Sequence, residues 1–114
     1  MSKSTIYKVV SQPEWQQAEI DGVFRGSAVD LADGFIHLSS AAQAVETVAK
    51  HFAGQANLLI ASVDAKVLGD TLRWEESRGG ALFPHIYGDL PMTAVTKVQP
   101  LPLGEDGTHV FPEI

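Results

Sequence analysis

An apolar helical stripe that begins directly after a strand-like segment constrains this chain more than any other feature. The stripe has the spacing of one buried helix face, at Ala41, Ala44, Val45, Val48, Ala49 and Phe52. Ser40 and Gln43 match a capping box at its start, and Gly54 stands where a C-terminal cap would close it. Residues 34–39, just before it, alternate as a strand does. The sequence therefore predicts a strand that passes at once into a helix.

A second helix and further strands are predicted around this unit. Ser11 and Glu14 form another capping-box pattern, so a short helix is expected from residue 13 to about residue 20, with Gly22 closing it. Residues 23–34 contain Gly and Asp without sustained periodicity and are predicted to be irregular, with at most a brief extended piece. Runs of β-branched, aromatic or alternating residues predict strands at residues 5–10, 58–63, 71–75, 93–101 and 108–111.

This order of elements favours an α+β fold, with a mixed, mostly antiparallel sheet and two main helices packed on it. Two helices are too few for the crossovers of a doubly wound parallel sheet, and the sequence has no GxGxxG or Walker-type glycine loop. The 114 residues fit one domain, residues 1–114, and 45 % hydrophobic residues supply enough apolar surface for its core.

Charge and composition argue against several classes of function. A net charge of −6 with only eight Lys and Arg disfavours binding to duplex nucleic acid. The chain has no cysteine, its four histidines are dispersed and HExxH is absent, so no metal centre is expected. No apolar run reaches the roughly 18 residues of a membrane helix, and the first residues lack the stretch of a signal peptide. A cytoplasmic protein is therefore expected.

The junction between strand and helix is the first candidate for a ligand site. Alternation places His37 and Ser39 on one face, directly before a helix start whose free amide groups and dipole favour an anion. Ser39, Ser40 and the first-turn amides could hold a phosphate while His37 donates a hydrogen bond nearby. The alternative is that Ser40 only caps the helix and that His37 is a satisfied histidine of the sheet.

The second candidate segment carries Phe83, His85 and Tyr87, which point to one side if the backbone is extended. Phe83 could stack on a base or a nicotinamide ring, with hydrogen bonds from His85 and Tyr87. The same side chains could equally close the edge of a core.

Four further residues complete the candidate set. Trp74 is large and apolar with one donor, and Glu75 is a candidate general base or an acceptor for ribose hydroxyls. Arg25 and Ser27, in the segment predicted to be irregular, could reach an anion. The alternative for the charged residues is a solvated surface, where most such side chains lie.

With the motifs GFIHLSS from Gly34 and LFPHIYGDLP from Leu82, the chain resembles a family of short bacterial proteins of unknown function. That family looks similar, remotely, to the ADP-ribosyltransferase superfamily and especially to its RNA 2′-phosphotransferase branch. The resemblance implies an ADP-ribosyltransferase-like fold and a cleft for NAD or an ADP-ribosylated intermediate. It also implies that His37 contacts a ribose or phosphate, with Ser39 beside it.

The leading hypothesis is therefore a site for a small nucleotide-type ligand, with NAD or ADP-ribose as the hypothetical cofactor and the two histidine segments close in space. The candidate catalytic residues are Glu75 and His85. The candidate ligand-binding residues are Arg25, Ser27, His37, Ser39, Trp74, Phe83 and Tyr87. The alternative hypotheses are a non-enzymatic module that binds a small molecule or a partner, and histidine segments that serve only in packing.

Overall fold

A computed structural model describes residues 5–114, apart from the side chain of Arg78. It confirms an α+β domain with antiparallel sheets. The helices are α1 (Gln12–Asp21), α2 (Ala28–Asp33), α3 (Ala41–His51) and α4 (Ala65–Leu68). The strands are β1 (Thr5–Ser11), β2 (Val23–Phe24), β3 (Ile36–His37), β4 (Leu58–Asp64), β5 (Leu72–Glu76), β6 (Leu82–Ile86), β7 (Leu90–Pro91) and β8 (Val95–Leu101).

Three small sheets replace the expected single mixed sheet. Their strand orders are β1–β4–β8, β2–β7 and β3–β6–β5, and every pairing within residues 5–114 is antiparallel. The first and third sheets meet at one bridge, where Tyr7 and Ser39 exchange backbone hydrogen bonds of 2.8 and 2.9 Å. This bridge brings the strand before α3 against β1 and so fixes where the two sheets face each other.

In the first sheet, β1 and β4 are covered on both faces, which explains why these two strands are apolar. One face packs with Trp15 and Phe24 through the alternate β1 residues Ile6 and Val10. The other face packs through Tyr7, Val9, Leu58 and Ile60 against α3. A strand between two cores buries most of its side chains, and in β1 these include the charged Lys8.

The structure confirms the predicted caps at the starts of α1 and α3, but fewer residues of α3 are buried than the apolar stripe predicts. The Ser11 hydroxyl accepts the Glu14 amide hydrogen, and Gly22 closes α1 with a φ of 81°. The Ser40–Gln43 capping box is present as predicted, but α3 ends with Phe52 as its C-cap, two residues before Gly54. Only one edge of α3 meets the sheet, so Ala44 and Val48 are buried while Ala41, Val45 and Ala49 are exposed.

The segment predicted to be irregular contains a helix, α2. Six residues give less than two turns, which is too short for a 3.6-residue period to be recognised. Gly34, with a φ of 88°, closes α2 and leaves only Ile36 and His37 as β3, so the strand predicted over residues 34–39 is shorter than expected. The boundaries of β5 and β8 also move by one or two residues, and residues 108–111 contribute only a bridge between His109 and Leu103.

Among the described residues, no helix is long and apolar enough to cross a membrane.

Candidate functional site

The two histidine segments meet, as predicted, because β3 and β6 are neighbours in the third sheet. His37 and His85 are register partners, and their ring centroids lie 5.5 Å apart with the rings nearly perpendicular. Both line a cleft of about 440 Å³ between this sheet, β1, α3 and the end of α2. Tyr7 and Phe83 are among its apolar walls, and Ser39 adds a hydroxyl. The sheet thus presents two imidazoles to one open space.

The His37 ring lies between two carboxylates. Its Nδ1 is 2.7 Å from Oδ1 of Asp30, and its Nε2 is 2.9 Å from Oδ2 of Asp33. A carboxylate only accepts hydrogen bonds, so both contacts are hydrogen bonds only when both ring nitrogens carry protons. The geometry therefore favours a positively charged His37, of which 34 % of the side chain stays exposed.

Asp30 is the fixed partner of His37 because it is buried, with 1 % of its surface exposed. It accepts hydrogen bonds from the Lys8 ammonium at 2.9 Å, the Ser27 amide at 2.8 Å and the His37 amide at 3.0 Å. Burial alone would raise the pKa of Asp30, but these bonds and the one from the His37 ring outweigh it and hold that pKa well below its usual range.

Lys8 completes this buried network. It is 5 % exposed, and its ammonium also donates to the His37 carbonyl at 3.0 Å. Burial lowers the pKa of Lys8, against the attraction of Asp30, which raises it. The pair positions both the backbone and the ring of His37 relative to β1.

His85 has a different environment, with one carboxylate on one side only. Its Nδ1 is 2.7 Å from Oε1 of Glu75, which also accepts a 2.8 Å hydrogen bond from the Tyr87 hydroxyl. The His85 bond and then the Tyr87 bond lower the pKa of Glu75, which stays ionised. Phe35 stacks on the His85 ring with centroids 4.2 Å apart. Among the described side chains, none bonds to the Nε2 of His85.

The helix start beside the cleft is occupied by its own side chains. Ser40 accepts the Gln43 amide hydrogen at 3.2 Å, and the Gln43 side chain accepts the Ser40 amide hydrogen at 3.0 Å. Ser39 lies 3.1 Å from the Thr47 hydroxyl, along the side of α3 rather than at its tip. Ser40 is therefore a helix cap here, and Ser39 remains the serine of this junction that lines the cleft.

Five of the candidate residues do not line the cleft. Glu75 and Tyr87 lie behind His85, and Trp74, Arg25 and Ser27 lie elsewhere. Strand alternation puts Trp74 on the opposite face of β5 from Glu75. Arg25 forms a 2.7 Å ion pair with Asp21 and lines a separate, smaller hollow, and Ser27 precedes α2. In the part of the chain that the structure describes, no group of three or more His, Cys, Asp or Glu residues is arranged to hold a metal ion.

Comparison with known proteins identifies the family. Residues 9–98 match the family described as protein of unknown function DUF952. The chain belongs to this family. Protein CC0527 of Caulobacter crescentus has a similar crystal structure, with 55 % identity, a TM-score of 0.89 and 93 % of each chain covered. Its solution NMR structure, also at 55 % identity, has a TM-score of 0.82 over 94 % of this chain and 90 % of that one. No curated protein matches the chain significantly.

The DUF952 match includes both histidine segments, but sequence reasoning missed the acidic and basic residues that hold His37. Asp30 and Asp33 lie in the segment predicted to be irregular, and Lys8 lies in a segment for which the sequence predicts only a strand. One signal was available: Lys8 stands in the middle of an apolar strand, flanked by Tyr7 and Val9. A lysine at such a position needs a buried acidic partner, since an unpaired buried charge is costly.

Proposed function

We propose that the cleft binds a small nucleotide-type ligand, such as NAD or an ADP-ribosyl compound, and that His85 acts on it as a general base. The observation that supports this proposal is the Glu75–His85 pair. Glu75 accepts a hydrogen bond from Nδ1, so the proton of a neutral ring sits on that nitrogen and the lone pair is on Nε2. His85 lines the cleft, which puts a ring nitrogen that can accept a proton beside the ligand.

The size and walls of the cleft suit a ligand of this kind. A volume of about 440 Å³ falls in the lower half of the range for small-molecule sites, about 300 to 1,000 Å³. It accommodates one nucleotide unit better than a whole dinucleotide. Tyr7 and Phe83 offer aromatic surface to a base or nicotinamide ring, while Ser39 and the histidines offer polar contacts for a ribose.

As an enzyme, the site would transfer an ADP-ribosyl group to water or another acceptor. Nε2 of His85 takes the proton from the attacking water, whose oxygen bonds to the ribosyl carbon. The bond from that carbon to the leaving nicotinamide breaks, and its electron pair leaves with the nicotinamide. Glu75, directly behind the ring, stabilises the imidazolium that forms. Transfer of a phosphoryl group would use the same proton transfer: the oxygen of the attacking water bonds to phosphorus, and the bond from phosphorus to the leaving oxygen breaks, with its electron pair leaving on that oxygen.

The second candidate is a non-enzymatic module that binds the ligand without turnover. The position of Glu75 favours it, because this carboxylate is engaged with His85 and Tyr87 and does not line the cleft. Among the described residues that do line the cleft, Asp33 is the only carboxylate, and it is bonded to His37. The cleft therefore offers no carboxylate ready to stabilise a cationic ribosyl centre.

A thermal-shift screen tests ligand binding directly. The probes are NAD, ADP-ribose, nucleoside phosphates and RNA ends carrying a 2′-phosphate. A ligand present at 100 times its dissociation constant raises the free energy of unfolding by about 2.7 kcal/mol, which is readily measured as a higher Tm. If none of these compounds raises the Tm, the nucleotide proposal is wrong.

A nicotinamide-release assay separates an enzyme from a binding module. Nicotinamide release from NAD is followed by chromatography with the wild-type chain and with Glu75→Gln. The glutamine amide can donate to Nδ1 and so moves the ring proton to Nε2, which lowers kcat by at least about tenfold. Glu76→Gln, the next residue on the strand and exposed, is the matched control and should leave kcat unchanged. Ligand binding without any release supports the binding module.

A further inference from the structure

The two carboxylates that hold His37 differ in how firmly they are held. The Asp30 carboxylate is buried and accepts hydrogen bonds from Lys8, from two backbone amides and from the His37 ring. The Asp33 carboxylate is 48 % exposed, and His37 is its only hydrogen-bond partner among the described residues. One of the two can therefore leave the ring at little cost, and the other cannot.

The position of Asp33 makes it the replaceable one. It is the last residue of α2, next to Gly34, whose φ of 88° ends the helix. Its side chain lines the cleft, and the contact with Nε2 of His37 lies at the cleft wall. When Asp33 rotates into solvent, Nε2 presents an N–H donor and a positive ring to whatever occupies the cleft. Asp30 continues to hold the other side of the ring.

We infer that Asp33 occupies the subsite for an anionic group of the ligand, and that a ligand phosphate or carboxylate displaces it from Nε2 of His37. This inference rests on the proposed function for the identity of the ligand's remaining part, and adds the group that His37 recognises. The side chain that blocks the subsite also sets its selectivity, because only a group that bonds to the imidazolium better than Asp33 does will displace it.

The neighbouring groups fit an anion in that place. Ser39 and Ser77 line the same cleft, and the hydroxyl of each can donate a hydrogen bond. With Asp33 turned out to solvent, the described lining of the cleft carries no negative charge. A phosphate at Nε2 would then share the cleft with these donors, and the nucleoside part would extend along the aromatic walls.

Binding measurements with paired probes test the inference. The pairs are adenosine with AMP, and nicotinamide riboside with nicotinamide mononucleotide, so that the members of each pair differ only by a phosphate. Asp33→Asn is expected to tighten binding of the phosphorylated member by about fivefold, the weight of one exposed ion pair, and to leave the nucleoside unchanged. Asp33→Glu keeps the charge and should give no gain. His37→Gln should remove the preference for the phosphorylated member.

A titration with inorganic phosphate tests the anion subsite without a nucleotide. The ¹⁵N resonance of His37 Nε2 is followed during phosphate titration of the wild-type chain and of Asp33→Asn. A response at lower phosphate concentration in Asp33→Asn supports the subsite even if every nucleoside fails to bind, in which case only the proposed function falls. If nucleotides bind but Asp33→Asn gains nothing for AMP or for phosphate, the subsite is wrong and the proposed function stands.

Discussion

His37 and His85 are directly paired residues of neighbouring strands, yet their surroundings differ at the second ring nitrogen. Both have a carboxylate 2.7 Å from Nδ1. At Nε2, His37 meets a second carboxylate, whereas His85 meets none among the described residues. In the first arrangement both ring nitrogens are engaged with carboxylates, whereas in the second Nε2 stays open to the cleft and can exchange a proton with a ligand.

The difference extends to the support behind each ring. Asp30 is buried and paired with Lys8, so the His37 side depends on a charge network inside the core. Glu75 lies on the strand next to His85 and is partly exposed, so the His85 side depends on strand register and on Tyr87. We therefore expect mutations behind His37 to affect folding, and those behind His85 to affect ring chemistry.

The largest effect is expected for Lys8→Met, which leaves Asp30 buried without its cation. Removing one partner of a buried ion pair costs about 3 to 5 kcal/mol of the free energy of unfolding. Urea denaturation measures this loss. Lys66→Met, at an exposed position of α4, is the control and should change stability little. A loss below about 1 kcal/mol for Lys8→Met would mean that the network contributes little to the fold.

Acid should weaken the fold through Asp30. Its folded-state pKa lies below that of an unfolded aspartate, about 3.9, so between the two values the unfolded chain binds more protons. This contribution is therefore complete above about pH 5 and is lost as the pH falls below about 4. Asp30→Asn should be less stable at neutral pH and show a flatter dependence on pH in urea denaturation. Equal slopes for both chains would contradict this assignment.

The ring of Phe35 contacts the rings of both histidines. It stacks on His85 at 4.2 Å but is tilted against His37 at 4.7 Å. A double-mutant cycle of Phe35→Leu with His85→Gln should give a coupling energy of about 1 kcal/mol. The cycle with His37→Gln should give a smaller one, because that ring is held by its carboxylates. Equal couplings would mean that Phe35 supports the two histidines alike.

The features that depend on residues close together in the sequence could be predicted. Capping patterns at Ser11 and Ser40 fixed where α1 and α3 begin, because the interacting residues are three positions apart. The long apolar run of residues 58–63 identified the central strand. The sequence also predicts that the segments carrying His37 and His85 lie close together, and their strand pairing confirms it.

The features that could not be predicted depend on contacts between residues that are far apart in the sequence. Lys8 and Asp30 are 22 positions apart, so nothing near either residue indicates the partner. The register of β5 against β6 decides that Glu75 lies behind His85 while Trp74 faces away, and a shift of one residue would exchange them. The helix that carries Asp33 is too short to show a period. The residues that line the cleft were thus partly predictable, whereas those that set the charge of each ring were not.

The smallest effect is expected for Tyr87→Phe, which removes the weaker of two influences on Glu75. The bond from His85 lowers the pKa of Glu75 most, and the Tyr87 hydroxyl lowers it further. Without the hydroxyl, the pKa of Glu75 should rise towards its usual value while His85 keeps its orientation. A ¹³C NMR titration of the Glu75 carboxyl measures the change, with Tyr7→Phe on β1 as the control. The lowered pKa of Glu75 stabilises the folded state at pH values above the usual Glu pKa, and this stabilisation is lost as the pH falls. Tyr87→Phe should therefore also make the free energy of unfolding less dependent on acid pH. If Glu75 titrates alike in the two tyrosine variants, the Tyr87 hydroxyl does not lower the pKa of Glu75.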